Sequence, residues 1–253
     1  MAFIVILFAS NVLKAQKEYK ITVENVKTNK LILNDFRGDM PIEGYAGNEI
    51  IVTAMSDNFK MPEKARGLKP VYASGTDNTG IAVAVDKGTN EITLTCLLSI
   101  TQGGEYRIKV PNNLAIKLAS GCAGSGKVTI QNMNNELDIN NCQGIDLKNV
   151  TGPLVLSSIS GDINITFGDL AKDKPISIAA ISGDVDITLP AKSAVDLEMS
   201  TISGNLYSDF DLTAPDKEKM RRVGGSKIKT QLNGGGADLK ISDISGNIYL
   251  RKG

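Results

Sequence analysis

The chain has 253 residues, and its 28 lysines and arginines are balanced by 28 aspartates and glutamates. That neutrality excludes the electrostatic footprint of a nucleic-acid binder or of a protein drawn to an anionic membrane surface. Histidine is absent, so the commonest general base and metal ligand is missing, while 25 glycines supply many tight corners.

The first residues form an apolar run, Ala2-Phe3-Ile4-Val5-Ile6-Leu7-Phe8-Ala9, too short to span a bilayer. It reads as the core of a secretory signal peptide occupying 1–15, cut near Ala15, which leaves 16–253 as one mature, exported domain without a membrane span. No lysine or arginine precedes the run, and Leu13 is large for its place before the cut. An uncleaved tether, or a start inside a longer signal, is the competing reading. No cysteine stands at the cut to carry a lipid.

Alternating apolar residues then predict strands at 19–26, 31–33 and 50–52, with a glycine corner in 36–42 and Gly47-Asn48 leading into the last. Pro62, Lys64, Arg66, Lys69 and Pro70 break the pattern, so about 56–79 reads as a loop excursion. Strands resume at 81–85, 92–98 and 106–111, the last ending on Pro111, a corner repeated at Pro190. Short strands follow at 114–118, 128–130, 137–139, 145–147, 154–156 and 163–165.

One phrase then recurs: Ile159-Ser160-Gly161-Asp162, Ile181-Ser182-Gly183-Asp184, Ile202-Ser203-Gly204-Asn205 and Ile244-Ser245-Gly246-Asn247. The Ser-Gly pairs step by 22, 21 and 42 residues, the last read as two periods. A fixed period of this size predicts a solenoid of stacked coils about 4.8 Å apart, each burying the aliphatic side of its neighbour. Gly161, Gly183, Gly204 and Gly246 supply the corners. Asp162, Asp184, Asn205 and Asn247 form a turn-stabilising ladder beside them. A charged stretch at about 214–236 reads as a second excursion, a projecting hairpin.

Cys96, Cys122 and Cys142 cannot all pair within one chain. Cys142 falls in the column of Ile159 and Ile181, and we read it as a small buried hydrophobe. A disulfide to Cys122, 20 residues earlier, is the other arrangement the spacing permits.

The repeated phrase, the Val-Pro and Leu-Pro corners at Pro111 and Pro190, Arg66-Gly67-Leu68-Lys69 with Asp77-Asn78-Thr79-Gly80, and Leu232-Asn233-Gly234-Gly235 resemble the putative-adhesin β-strand-repeat proteins exported by Gram-negative bacteria. The resemblance spans almost the whole mature chain. It implies an all-β, single-chain, right-handed parallel β-solenoid in the periplasm, at the outer surface or secreted, with a role in binding an extracellular glycan or protein. It implies no enzyme and names no ligand.

Other motifs yield to the turn reading. Gly121-Cys122-Ala123-Gly124-Ser125-Gly126-Lys127 approaches a phosphate loop but continues with Val128 into a strand, where a hydroxyl and a helix are needed. Gly38 and Asp39 of Arg37-Gly38-Asp39 occupy the corner columns, so the turn explains them without integrin recognition. No set of residues stands out as catalytic or metal-binding, and no cofactor is implied. The ligand-contact candidates are Tyr207 and Tyr249, which share an outward column, with Arg221 and Arg222 from the basic stretch. A carbohydrate-active enzyme on the same scaffold and an envelope-stress accessory protein are the alternatives from other classes.

Overall fold

The computed structural model describes residues 17–56, 62–68, 70–170, 172–212 and 225–253. Apolar residues two apart place one side of each short run inward, and the chain becomes a series of half-buried strands. First come β1 (Lys17–Thr22), β2 (Lys30–Asn34), β3 (Gly38–Tyr45) and β4 (Glu49–Ala54). A 3₁₀ turn at Glu63–Ala65 precedes β5 (Val83–Lys87), β6 (Glu91–Cys96) and β7 (Tyr106–Pro111). The middle of the chain holds β8 (Ala115–Ala119), β9 (Ser125–Met133), β10 (Leu137–Asn141), β11 (Ile145–Val150), β12 (Leu154–Ser158), β13 (Ile163–Phe167), β14 (Ile176–Ser182) and β15 (Val185–Leu189). Last are β16 (Val195–Thr201), β17 (Leu206–Ser208), β18 (Ser226–Leu232), β19 (Ala237–Ser245) and β20 (Ile248–Lys252).

These strands build two open ten-stranded sheets. One runs β1-β4-β7-β3-β9-β11-β13-β15-β20-β17, the other β18-β16-β19-β14-β12-β10-β8-β2-β6-β5. From β8 to β15 each strand lies in the opposite sheet from the one before, so one strand from each sheet makes a coil. Equivalent strands pair in parallel, as Ile145, Ile163 and Val185 do across β11, β13 and β15. The inward aliphatics of both sheets form one continuous core, in which Ile163, Ile165, Val185 and Ile187 are fully buried with Leu154, Leu156, Ile176 and Ile178.

The sheets depart from a uniformly parallel stack at three of their four ends; at the fourth, β17 pairs parallel with β20. β4 pairs antiparallel with both β1 and β7, β5 with β6, and β18 with β16. Reversed strands cover the last parallel edges, β4 on β7 and β18 on β16, and the outermost strands present charged residues to water, Lys17, Glu18 and Lys20 on β1 and Lys227 and Lys229 on β18. Ser226–Leu232, expected inside a projecting hairpin, is therefore an end strand of the second sheet.

The coils are also not stacked in chain order. β2 and β3 lie between the coil of β6 and β7 and that of β8 and β9. At the far end, β19 and β20 lie between the coil of β14 and β15 and that of β16 and β17. The 42-residue step is thus not two periods of an unbroken winding. The fourth copy of the phrase returns to fill the layer between the second and the third.

Cys122 and Cys142 form a disulfide with their Cα atoms 5.0 Å apart. Cys142 is buried but bonded, which replaces its reading as a simple hydrophobe, and Cys96 is a free buried thiol. Among the described residues no helix is long and apolar enough to cross a membrane.

Candidate functional site

At the corner that carries the repeated phrase, Gly183 has a φ of 114° and sits so close to the neighbouring coil that a Cβ would meet the Gly161 carbonyl oxygen at 2.6 Å. Gly246 packs in the same way on Gly183, and Gly204 on Gly246. Beside them the Asp184 N–H donates to Asp162 Oδ1 (2.9 Å), the Asn247 N–H to Asp184 Oδ1 (2.8 Å) and the Asn205 N–H to Asn247 Oδ1 (3.1 Å). Each side chain satisfies the backbone of the next coil, so these carboxylates are committed to the turn. Asp39 plays the same part for the Lys127 N–H at 2.9 Å, and Arg37 donates to the Ala123 carbonyl, so Arg37-Gly38-Asp39 is tied into the corner. Lys127, the last residue of the glycine-rich stretch, pairs with Asp146.

The isoleucines of the phrase face outward. Ile159, Ile181, Ile244 and Ile202 are 42 to 61% exposed, because the alternation of β12, β14, β19 and β16 puts the preceding residue inside.

On the outer face of the first sheet, Asp186, Tyr249 and Tyr207 are neighbours in register across β15, β20 and β17. The two tyrosine rings stack, centroids 5.2 Å apart and planes 10° from parallel. Tyr207, on the end strand, is 50% exposed. Two residues beyond Tyr249, Arg251 reaches back to Asp186 with Nε and Nη2 both 2.7 Å from its carboxylate, and the guanidinium carbon stands 5.5 Å from the Tyr249 ring centre. The fork-to-carboxylate pair holds the guanidinium in one orientation against the aromatic ring, and Asp186 raises the Arg251 pKa further. Parallel pairing thus puts two flat rings, a fixed cation and a carboxylate on one rigid face. Such a surface stacks on an apolar ring face while polar groups bond at its rim. Arg251 and Asp186 were not among the residues singled out from sequence; the Asp186–Tyr249 column and the i+2 position of Arg251 are the signals that point to them. Arg221 and Arg222 lie outside the described residues.

A second polar surface lies across β18, β16 and β19, where Asp196, Glu198, Lys229, Gln231, Asp238 and Lys240 line a shallow groove. Two of its three acids are already engaged. Asp196 accepts from Gln231 Nε2 (2.7 Å) and the Gly236 N–H (3.1 Å). Glu198 pairs with Lys227 at 2.7 Å, and that hydrogen bond holds its carboxyl below the usual range. Glu198 is thus not the raised-pKa acid that a glycosidase needs. Among the described residues no group of three or more cysteines or acids is placed to hold a metal ion.

The model of the Toastrack family, DUF4097, matches residues 20–251. The chain belongs to that family. No curated protein matches the sequence. Two crystal structures resemble this Toastrack chain: a putative cell adhesion protein from Clostridium sporogenes ATCC 15579, at 13% identity over 94% of this chain and all of that one with a TM-score of 0.48, and a putative adhesin from Bacteroides fragilis NCTC 9343, at 14% identity over 94% and 97% of the two chains with a TM-score of 0.44. The Toastrack membership agrees with the resemblance read from the repeated phrase.

Proposed function

We propose that this Toastrack protein is exported and acts in the periplasm or at the cell surface as a non-catalytic binding scaffold of the adhesin kind. Its coils wind as a right-handed parallel solenoid, the hand almost all parallel crossovers take. The apolar leader at 1–15 supports export. The stacked Tyr207–Tyr249 pair, braced by Arg251 and Asp186, carries the reading. An exposed aromatic stack on a stiff sheet is costly to leave in water and suits a sugar ring or a flat side chain of a partner protein.

The test is a glycan and matrix-protein array probed with the full mature chain and with Tyr207→Ala. Tyr207 is half exposed on an end strand, so its loss moves stability by about 1 kcal/mol, chiefly through the ring stack, and binding is expected to fall at least tenfold. A hit retained in full by Tyr207→Ala removes the tyrosine face from the reading. Turnover of a polysaccharide on the same panel replaces the binding scaffold with an enzyme.

A further inference from the structure

A buried column runs along the corner just inside the repeated phrase. Asn141, Ser158, Ala180, Asp243 and Thr201 stand next to one another in register on β10, β12, β14, β19 and β16, and all five are buried. Backbone carbonyls of the glycine corners point at this column, and its polar members answer as donors. Asn141 Nδ2 donates to the Gly126, Gln143 and Gly144 carbonyls at 3.0, 3.2 and 3.2 Å. Ser158 Oγ lies 2.9 Å from the Gln143 carbonyl, and Thr201 Oγ1 lies 3.0 Å from that of Gly246. The atom left over is instructive: Asn141 Oδ1, an acceptor, has no partner.

Asp243 occupies this donor position with a carboxyl group. It is 3% exposed, Oδ1 accepts the Ser245 N–H at 3.2 Å, and the buried Oδ2 has no partner. Oδ2 and the Gly183 carbonyl oxygen crowd the same side of Gly246, and the adjoining Ala180 brings no donor to them. As a carboxylate, the group would hold an acceptor against an acceptor with no proton between. As a carboxylic acid, it does what Asn141, Ser158 and Thr201 do.

We propose that Asp243 is protonated in the folded protein and latches the inset coil of β19 and β20 through an acid-to-carbonyl hydrogen bond, so that the C-terminal layers loosen when it ionises. Burial raises its pKa, the N–H groups of Ile244 and Ser245 oppose the rise in part, and the like charge of Asp184 adds to it. Asp184 is the charged group that acts on it from β14's corner; β16 presents Thr201, which is neutral. A folded pKa above the unfolded value makes this contribution complete below pH about 4 and lost as pH rises through the folded pKa.

Two measurements on the full chain decide it. The Asp243 side-chain carboxyl carbon, followed by NMR in the native protein, is expected to titrate above the ordinary aspartate range; titration at or below that range overturns the proposal. Urea unfolding from pH 4 to 8 is then compared with Asp243→Asn, which supplies a neutral donor. Wild type is expected to lose about tenfold in its folding constant per pKa unit of displacement, and Asp243→Asn to lose that component and exceed wild type at pH 7. Equal pH profiles for the two proteins overturn the latch. Stabilisation of wild type by calcium that a chelator reverses does so too, because a cation then fills the role given to the proton.

Discussion

At Gly183 a single hydrogen atom in place of a side chain sets how closely two coils approach. Its φ of 114° and the adjacent Gly161 carbonyl leave no place for a methyl group, and Gly183→Ala is expected to cost about 1–3 kcal/mol in urea unfolding. The Cys122–Cys142 bond closes a loop with a sequence separation of 20 residues, so reduction is expected to lower stability by about 3 kcal/mol, read as a drop in Tm with added thiol. The corner glycines were legible because the phrase repeats them. The disulfide was not decided by spacing, since Cys142 and the isoleucines of its column fit the same alternation. The donor column was legible in principle: Asn141, Ser158, Thr201 and Asp243 each stand immediately before Cys142 or an isoleucine of the phrase. The signal is the period-2 run that Leu137 and Ile139 carry onto Asn141, and Leu154 and Leu156 onto Ser158, which places a polar residue on an inward face.

At the scale of strands, period-2 alternation located most elements to within a few residues, including β8 to β13, because each strand is half buried and its sides differ chemically; β14 was not expected. Layer order was not legible. β17 and β20 both follow a corner of the same phrase and offer the same inward face, and nothing local says which of them stacks on β15. The choice is made by β18, which reverses direction, pairs with β16 from Val195–Leu232 to Thr201–Ser226, and leads back to the gap that β19 fills. Its charged sequence made it look like a loop, although lysines on an outer end strand are what keep such an edge from recruiting another chain. Deleting Ser226–Leu232 is expected to bare β16 and produce oligomers in sedimentation velocity at concentrations where wild type keeps its normal distribution. Hydrogen exchange offers a second reading of the same order. The amides of β19 and β20 have paired neighbours on both sides and are expected to exchange more slowly than those of β17, which has one.

For the molecule as a whole, ten strands per sheet at about 4.8 Å give a body roughly 43 Å long, with the tyrosine face near one end. Neutral overall charge and an aliphatic interior were plain in the sequence and carry over directly to this scale. The tyrosine column was legible as well, because Tyr207 and Tyr249 follow the same phrase at the same distance. What the rings stack against was not, since Asp186 and Arg251 meet only after β20 has come to lie beside β15.

The inset position of β19 and β20 has a consequence for how the protein is made. A nascent chain presents β14 to β17 first, and their natural partners are one another; the gap between them must be held open, or reopened, until β19 and β20 emerge. Completion therefore waits until β19 and β20 have been made, and a chain stopped before Ala237 is expected to remain protease-sensitive even though it already contains eighteen of the twenty described strands.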